Sequence, residues 1–191
     1  MDTNQQKEEL RNKLLEQRAA LSTPEYFGAS ADIIEKLKEQ DQFREAQTIH
    51  CYVSMNSRRE VETQELIIEM LSKNKRMVVP ITNFDSGTLT HIELDKFEDL
   101  ETNKWGVLEP REGERVPVHE IDIVIVPMVG GDEQCNRIGY GKGFYDRFLT
   151  DVDCPKIGLI FEQNIVPQIP TEEFDIALDS IITEERIIYG N

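Results

Sequence analysis

The stretch Ile121-Asp122-Ile123-Val124-Ile125-Val126-Pro127 leads, through Met128 to Arg137, into Arg137-Ile138-Gly139-Tyr140-Gly141-Lys142-Gly143-Phe144-Tyr145-Asp146-Arg147. The first part is nearly all β-branched and ends at a proline, the pattern of a buried strand. In the second part three glycines alternate with larger residues. Glycine has no Cβ, so its backbone can approach a ligand closely and adopt positive φ. Successive N–H groups in such a loop form a concavity that favours anions. Arg137, Lys142 and Arg147 add three positive charges against one carboxylate, Asp146. A strand followed by a glycine loop and a helix from about Phe144 to Leu149 is the layout of a phosphate site.

Around this centre the chain alternates helix and strand patterns. Leu10, Leu14 and Leu21 recur on one helical stripe over the first 21 residues. Lys7, Arg11 and Arg18 form a second stripe roughly 60° away, and spacing alone favours a solvent-facing edge for it. Ser22-Thr23-Pro24-Glu25 reads as a capping box opening a second helix. Thr48 to Ser54 reads as a strand, Glu62 to Lys73 as a helix, and Met77 to Pro80 and Thr88 to Glu93 as strands. Asp95 to Glu120 is a long irregular stretch, which in a folded domain is often functional. It holds the single tryptophan, Trp105, for which packing over the core and stacking on a ligand are equally open. Met128 to Arg137 reads as a loop. Lys156 to Phe161 is another buried strand, and Leu178 to Thr183 with Arg186 to Tyr189 a terminal pair. The expected fold is α/β: one three-layer domain over 1–191, a mostly parallel sheet flanked by helices in a Rossmann-like layout. Ligands bind such sheets beyond the carboxyl ends of the strands.

Composition narrows the function. The chain has 191 residues, 39% hydrophobic and 30% charged, with 21 Lys plus Arg against 37 Asp plus Glu and a formal net charge of -16. That acidity argues against nonspecific binding to nucleic acid or anionic membrane. No apolar run approaches the roughly 20 residues of a membrane span, and Met1 to Glu9 lacks the apolar core of a signal peptide. Three scattered cysteines, Cys51, Cys135 and Cys154, point to a reducing compartment, hence the cytoplasm. The histidines, His50, His91 and His119, show no ligand spacing. A monomer acting on small molecules is expected.

The glycine pattern is neither of the two best-known phosphate motifs. A Walker loop needs Ser or Thr after Gly-Lys, and here Gly143 and Phe144 follow Lys142. A Rossmann fingerprint puts its glycines directly after a strand, whereas here a loop intervenes. The general physics survives: backbone N–H groups, a mobile ammonium at Lys142, and Asp146 as a carboxylate able to hold Mg²⁺. Asp146 has a competing role as a surface partner of Arg147 or a helix cap. These residues alone describe an enzyme of nucleoside triphosphates.

From Pro127 through Leu149 the chain resembles the 5-formyltetrahydrofolate cyclo-ligase family. The resemblance extends to Lys7-Glu8-Glu9-Leu10-Arg11, Tyr52 to Met55, Glu60 to Thr63, Trp105-Gly106 with Glu109-Pro110, Phe161-Glu162-Gln163 and Ile169 to Asp175. It implies a ligase of one-carbon metabolism, with ATP as co-substrate and Mg²⁺. 5-Formyltetrahydrofolate would become 5,10-methenyltetrahydrofolate by phosphorylation of the formyl oxygen and attack by N10, with release of ADP and phosphate. It implies ATP contacts from Lys7, Arg11, Arg137, Ile138, Gly139, Tyr140, Gly141, Lys142, Gly143, Phe144 and Tyr145. Folate contacts would come from Val53, Glu60 and Trp105, and from Gly141 to Tyr145, where both ligands meet. Lys142, Arg137 and Tyr145 are the expected catalytic side chains, and Asp146 and Asp175 the metal ligands. Three positions depart from the family's usual residues. Gly131 and Asn136 stand where Phe and Gly are common, and Phe174 stands where a histidine usually precedes the second metal aspartate. Two other readings compete: a nucleotide-binding regulatory protein without turnover, and a phosphosugar or coenzyme A ester enzyme on a similar scaffold.

Overall fold

A computed structural model of the chain describes residues 2–190. In chain order the elements are α1 (Thr3–Ala19), α2 (Thr23–Glu39), α3 (Asp41–Glu45), β1 (Thr48–Cys51), α4 (Gln64–Ser72), β2 (Arg76–Asn83) and β3 (Thr88–Leu94). The hairpin β4 (Leu100–Thr102) and β5 (Leu108–Pro110) follows, then β6 (Ile123–Pro127), β7 (Gly130–Asp132), β8 (Arg137–Ile138) and α5 (Phe144–Leu149). The chain closes with β9 (Lys156–Leu159), β10 (Ile165–Val166), β11 (Ser180–Ile182) and β12 (Ile187–Tyr189).

Seven strands form the main sheet in the order β12-β11-β9-β6-β1-β2-β3. The five central strands are parallel, and the two edges pair antiparallel. The expected α/β architecture is therefore observed. Side-chain alternation divides the core between the two faces. On β6, Ile123 and Ile125 join α2 and α4 through Tyr26, Ile33, Leu66 and Ile67. Val124 and Val126 point the other way, toward Phe148 and Leu149 of α5. The capping box at Ser22 forms, with the Glu25 N–H donating to Ser22 Oγ at 3.3 Å and the Ser22 N–H donating to Glu25 Oε2 at 2.9 Å.

Two expectations need correction. Met128 to Arg137 is not a loop: it contributes β7 and the start of β8 to a second sheet ordered β10-β7-β8. Glycines at 130 and 131 hide this strand from a pattern reading, because they lack the side chains that reveal alternation. Those glycines are required by contact. A Cβ on Gly130 would collide with Leu14 of α1, and one on Gly131 would sit 2.7 Å from Ile181 Cδ1. The conformation that a glycine adopts most easily falls on Cys135, at φ 59°, and not on Asn136. Asn136 instead gives its backbone and side-chain N–H groups to the buried Asp132 carboxylate, each at 3.0 Å.

The second correction concerns α1, whose cationic stripe is no solvent edge. Lys7 and Arg18 are buried, at 8% and 1% exposure, on the same face as Leu14. Residues 7, 14 and 18 fall within about 40° of one another on a helical wheel. So the basic stripe marks the inner face, and Leu10 and Leu21 flank it half-buried.

Helix α5 is seated by two imidazoles. The Phe148 ring lies 4.8 Å from His50 of β1 and 4.1 Å from His91 of β3, and the two histidines share a hydrogen bond of 3.1 Å. Burial first, and the neighbouring His91 second, hold His50 well below the usual imidazole range. Burial lowers His91 from 6.5 to about 4. Both are neutral when folded and take up protons on unfolding below their ordinary value, so the unfolded chain binds more protons there. Stability is expected to fall as pH drops from about 6.5 toward about 4. A denaturant series between about pH 7 and about pH 5 checks this, and a constant midpoint would contradict a neutral pair.

Candidate active site

A cleft of about 810 Å³ opens beyond the carboxyl ends of β1, β2 and β6, lined there by Val53, Thr82 and Pro127. That volume suits two small ligands or one large one. Every residue expected from the sequence to touch ATP, folate or metal lines this one cleft. Its walls carry six cationic side chains, Lys7, Arg11, Arg58, Arg137, Lys142 and Arg147, against four carboxylates, Glu60, Asp146, Glu172 and Asp175. The acidic surface of the chain is thus locally reversed, and an anion gains by entering.

Two arginines clamp the glycine loop by its carbonyls. Arg11 Nε donates to the Gly139 oxygen at 2.6 Å, and an Arg147 Nη donates to the Lys142 oxygen at 2.7 Å. Arg147 Nε also donates to the Gly87 oxygen at 2.6 Å, tying the loop to the β2–β3 turn. Among the described residues, the N–H groups of Tyr140, Gly141, Lys142 and Gly143 meet no protein acceptor, which leaves them for a ligand. Gly141 and Gly143 have φ values of 82° and 69°, the left-handed region where a Cβ is strained. At Gly141 a Cβ would also sit 2.9 Å from Arg11 Cζ. The Lys142 side chain is exposed and has no ion pair or hydrogen bond among the described residues.

The other cations are partly engaged. Arg137, with a side chain 5% exposed, pairs with Asp146 at 2.6 Å. Asp146 thus partners Arg137 and not Arg147. Lys7 donates to Asp175 at 2.5 Å and Glu172 at 2.8 Å. Desolvation pulls the Lys7 ammonium down, but the hydrogen bonds and charges of Asp175 and Glu172 outweigh it and hold it above its usual value. Its ammonium lies 5.7 Å from the Phe174 ring centroid, the position where a histidine was expected. The Tyr145 hydroxyl is buried without a partner, and burial raises it well above the usual phenol range.

Across the cleft, β1 stops at Cys51 because the next residues bond elsewhere. The Thr63 hydroxyl donates to the Tyr52 carbonyl at 2.7 Å, and Gln64 Nε2 donates to the Ser54 carbonyl at 2.8 Å. This turn brings Val53 and Glu60 to the wall. Tyr140 donates to Glu60 at 2.6 Å, and the Met55 N–H donates to its other oxygen at 2.7 Å. Trp105 caps the β4–β5 hairpin at the mouth, 55% exposed and 5.3 Å from Phe84. Its loop is held by Asn103, whose Oδ1 accepts from the Trp105 and Val107 N–H groups at 2.8 and 3.0 Å. Trp105 is therefore no core residue.

Among the described residues, no group of three or more His, Cys, Asp or Glu side chains could hold a metal ion. Asp146 and Asp175 both line the cleft, each engaged there by a cation, Arg137 and Lys7. Sequence reading missed Arg58, Glu172 and Arg18 as parts of this region. Glu172 lies three residues before Asp175, and that acidic spacing was the available signal.

Comparison with known proteins gives a consistent result. Residues 3–184 match the model of the 5-formyltetrahydrofolate cyclo-ligase family. A mouse 5-formyltetrahydrofolate cyclo-ligase is 29% identical over 195 residues, covering 95% of each chain. The Escherichia coli K12 protein of the same name is 30% identical over 148 residues, 74% of this chain and 80% of that one. The solved structure of Aquifex aeolicus 5,10-methenyltetrahydrofolate synthetase superposes with a TM-score of 0.85 at 31% identity, covering 96% of this chain and 92% of that one.

Gly141→Ala is expected to strain the loop by about 1–2 kcal/mol and to push Arg11 aside. Calorimetry with a non-hydrolysable ATP analogue should show weakened binding in a folded protein. Unchanged affinity would mean that the loop does not keep its left-handed turn when the cleft is filled.

Proposed function

This chain belongs to the 5-formyltetrahydrofolate cyclo-ligase family, and we propose that its cleft brings ATP and 5-formyltetrahydrofolate together across the Gly139 to Tyr145 loop. It is an ATP-dependent ligase of one-carbon metabolism that converts 5-formyltetrahydrofolate to 5,10-methenyltetrahydrofolate. One observation carries the site assignment. Lys7 and Arg11 of α1, the glycine loop, Asp146 and Asp175 line the same cleft as Val53, Glu60 and Trp105.

The chemistry needs positioning more than a protein nucleophile. A formamide oxygen is a poor leaving group. The γ-phosphoryl group passes from ATP to that oxygen, breaking its bond to the β-phosphate and releasing ADP. N10 of the folate then attacks the activated formyl carbon. The carbon–oxygen bond breaks, phosphate departs with the oxygen, and N10 loses its proton as the methenyl bridge forms.

Lys142, with its unpaired ammonium, meets the migrating phosphoryl group. The free N–H groups from Tyr140 to Gly143 hold its oxygens. Arg11 and Lys7 receive the remaining phosphates, and a phosphate competing for Lys7 frees the Asp175 carboxylate. Arg137 offers charge from beneath, and Tyr145 offers an unpartnered hydroxyl. Asp146 and Asp175 would hold Mg²⁺, which supplies charge neutralisation between the phosphates. Val53, Glu60 and Trp105 receive the folate. Residues 1–191 act as one domain and as a cytoplasmic monomer that binds no nucleic acid. The net charge of -16 supports the last point, and no helix among the described residues is long and apolar enough to cross a membrane.

Protein mixed with 5-formyltetrahydrofolate, ATP and Mg²⁺ should generate near-ultraviolet methenyl absorbance. Nucleotide binding by folded protein without product would favour a regulatory protein. Lys142→Ala should lower turnover by two orders of magnitude or more while stability changes by no more than about 0.5 kcal/mol. Full activity in that variant would remove Lys142 from the chemistry. Asp146→Asn should shift the Mg²⁺ titration of activity to higher concentration, and an unmoved titration would leave Asp146 as the partner of Arg137 alone.

A further inference from the structure

On the reading that Glu60 meets the folate, we propose that Arg18 is a positioning residue which, through the Tyr140 hydroxyl, holds the Glu60 carboxylate fixed as an acceptor on the folate side of the cleft. Arg18 is 1% exposed, yet it makes no ion pair with a carboxylate among the described residues. One Nη donates to the Met128 carbonyl at 2.9 Å, the other donates to the Tyr140 oxygen at 2.6 Å, and Nε has no partner. A buried guanidinium without a counter-charge is expensive. The carboxylate that its hydrogen bonds lead to is Glu60, one hydroxyl away.

Donor and acceptor capacity fixes the direction of this relay. Arginine has only donors, so the Tyr140 oxygen must accept from Arg18. Tyr140 then has a single proton, and it goes to Glu60 Oε1 at 2.6 Å. Burial, the largest influence, together with the Glu60 charge, keeps the Tyr140 phenol protonated. Glu60 Oε2 accepts the Met55 N–H at 2.7 Å. Both carboxylate oxygens are therefore committed as acceptors. Their remaining lone pairs can serve only a ligand that presents N–H or O–H donors. The relay links three distant parts of the chain: α1, the glycine loop and the turn after β1. Nothing in the phosphoryl chemistry requires it, and Arg18 does not line the cleft. Its effect would reach the substrate only through Tyr140 and Glu60.

The test measures KM for 5-formyltetrahydrofolate, KM for ATP and kcat in Arg18→Met, Tyr140→Phe, Glu60→Ala and the double variants, with thermal melts as a folding control. Loss of one such hydrogen bond corresponds to about a ten-fold change. Arg18→Met and Tyr140→Phe should each raise KM for the folate about ten-fold and leave KM for ATP within about two-fold. The Arg18→Met/Tyr140→Phe pair should be no worse than the weaker single variant, because both cut the same chain. If Arg18→Met does not fold, the Tyr140→Phe/Glu60→Ala pair carries the test and should match Glu60→Ala alone. An unchanged folate KM in Tyr140→Phe, multiplied effects in the double variant, or an equal rise in ATP KM would overturn the relay. Glu60→Ala without effect on folate KM would sink the folate reading of Glu60 itself, a failure distinct from the others.

Discussion

Burying charge on the inner face of α1 is the constraint on which the site is built. An ammonium and a guanidinium leave water only when acceptors replace their hydration. Lys7 finds Asp175 and Glu172 from the far end of the chain. Arg18 finds Met128 after β6 and Tyr140 in the glycine loop. Between them Arg11 holds the Gly139 carbonyl. One helix thus fastens the chain's last third, the sheet's carboxyl edge and the loop to one another. The apolar contribution on that face is modest, with Leu14, Val129, Ile138 and Ile169 forming a small satellite cluster beside two larger ones. Polar contacts and this cluster together place α1.

The same charges are suited to exchange. Lys7 and Arg137 each hold a carboxylate of the cleft, Asp175 and Asp146. In this state cations and anions neutralise one another in pairs, which limits the cost of a half-buried charged wall. A polyphosphate with its cation offers each member a new partner of the opposite sign, so the paired state and the loaded state have similar electrostatic balance. Lys142 stands outside this exchange because it has no partner to give up. That difference sets it apart from Lys7 and Arg137, whose charges are already met by carboxylates.

Legibility followed side-chain pattern. The strand at β6, the capping box at Ser22 and the helix Phe144–Leu149 were readable because β-branched runs, caps and glycine breaks have local causes. β7 was not, because Gly130 and Gly131 answer to Leu14 and Ile181, residues far away in sequence. The solvent-edge reading of Lys7, Arg11 and Arg18 failed for a related reason. Periodicity gives the angle between stripes and not which stripe faces inward. The inner face is shared by Leu14, Lys7 and Arg18, and hydrophobicity alone sees only the leucine. Of the residues that gather around the cleft, Arg137, Lys142, Asp146 and the glycines were readable from the loop itself, and Lys7, Arg11, Val53, Glu60 and Asp175 came from the family resemblance. The hydrogen bonds among them, such as Tyr140 to Glu60, required the fold.

The glycines at 141 and 143 gain a second meaning from this arrangement. Arg11 holds the loop by the Gly139 carbonyl and Arg147 by the Lys142 carbonyl, and both guanidiniums line the cleft. The loop bends there through left-handed turns, with φ values of 82° and 69°. It also needs room, because the guanidiniums that hold it pass within 2.9 Å of where a Cβ would stand at either glycine. Conformation and contact therefore demand the same residue for independent reasons. The arginines and the glycines therefore depend on one another: a side chain at 141 or 143 would stand where the guanidinium that holds the loop now lies.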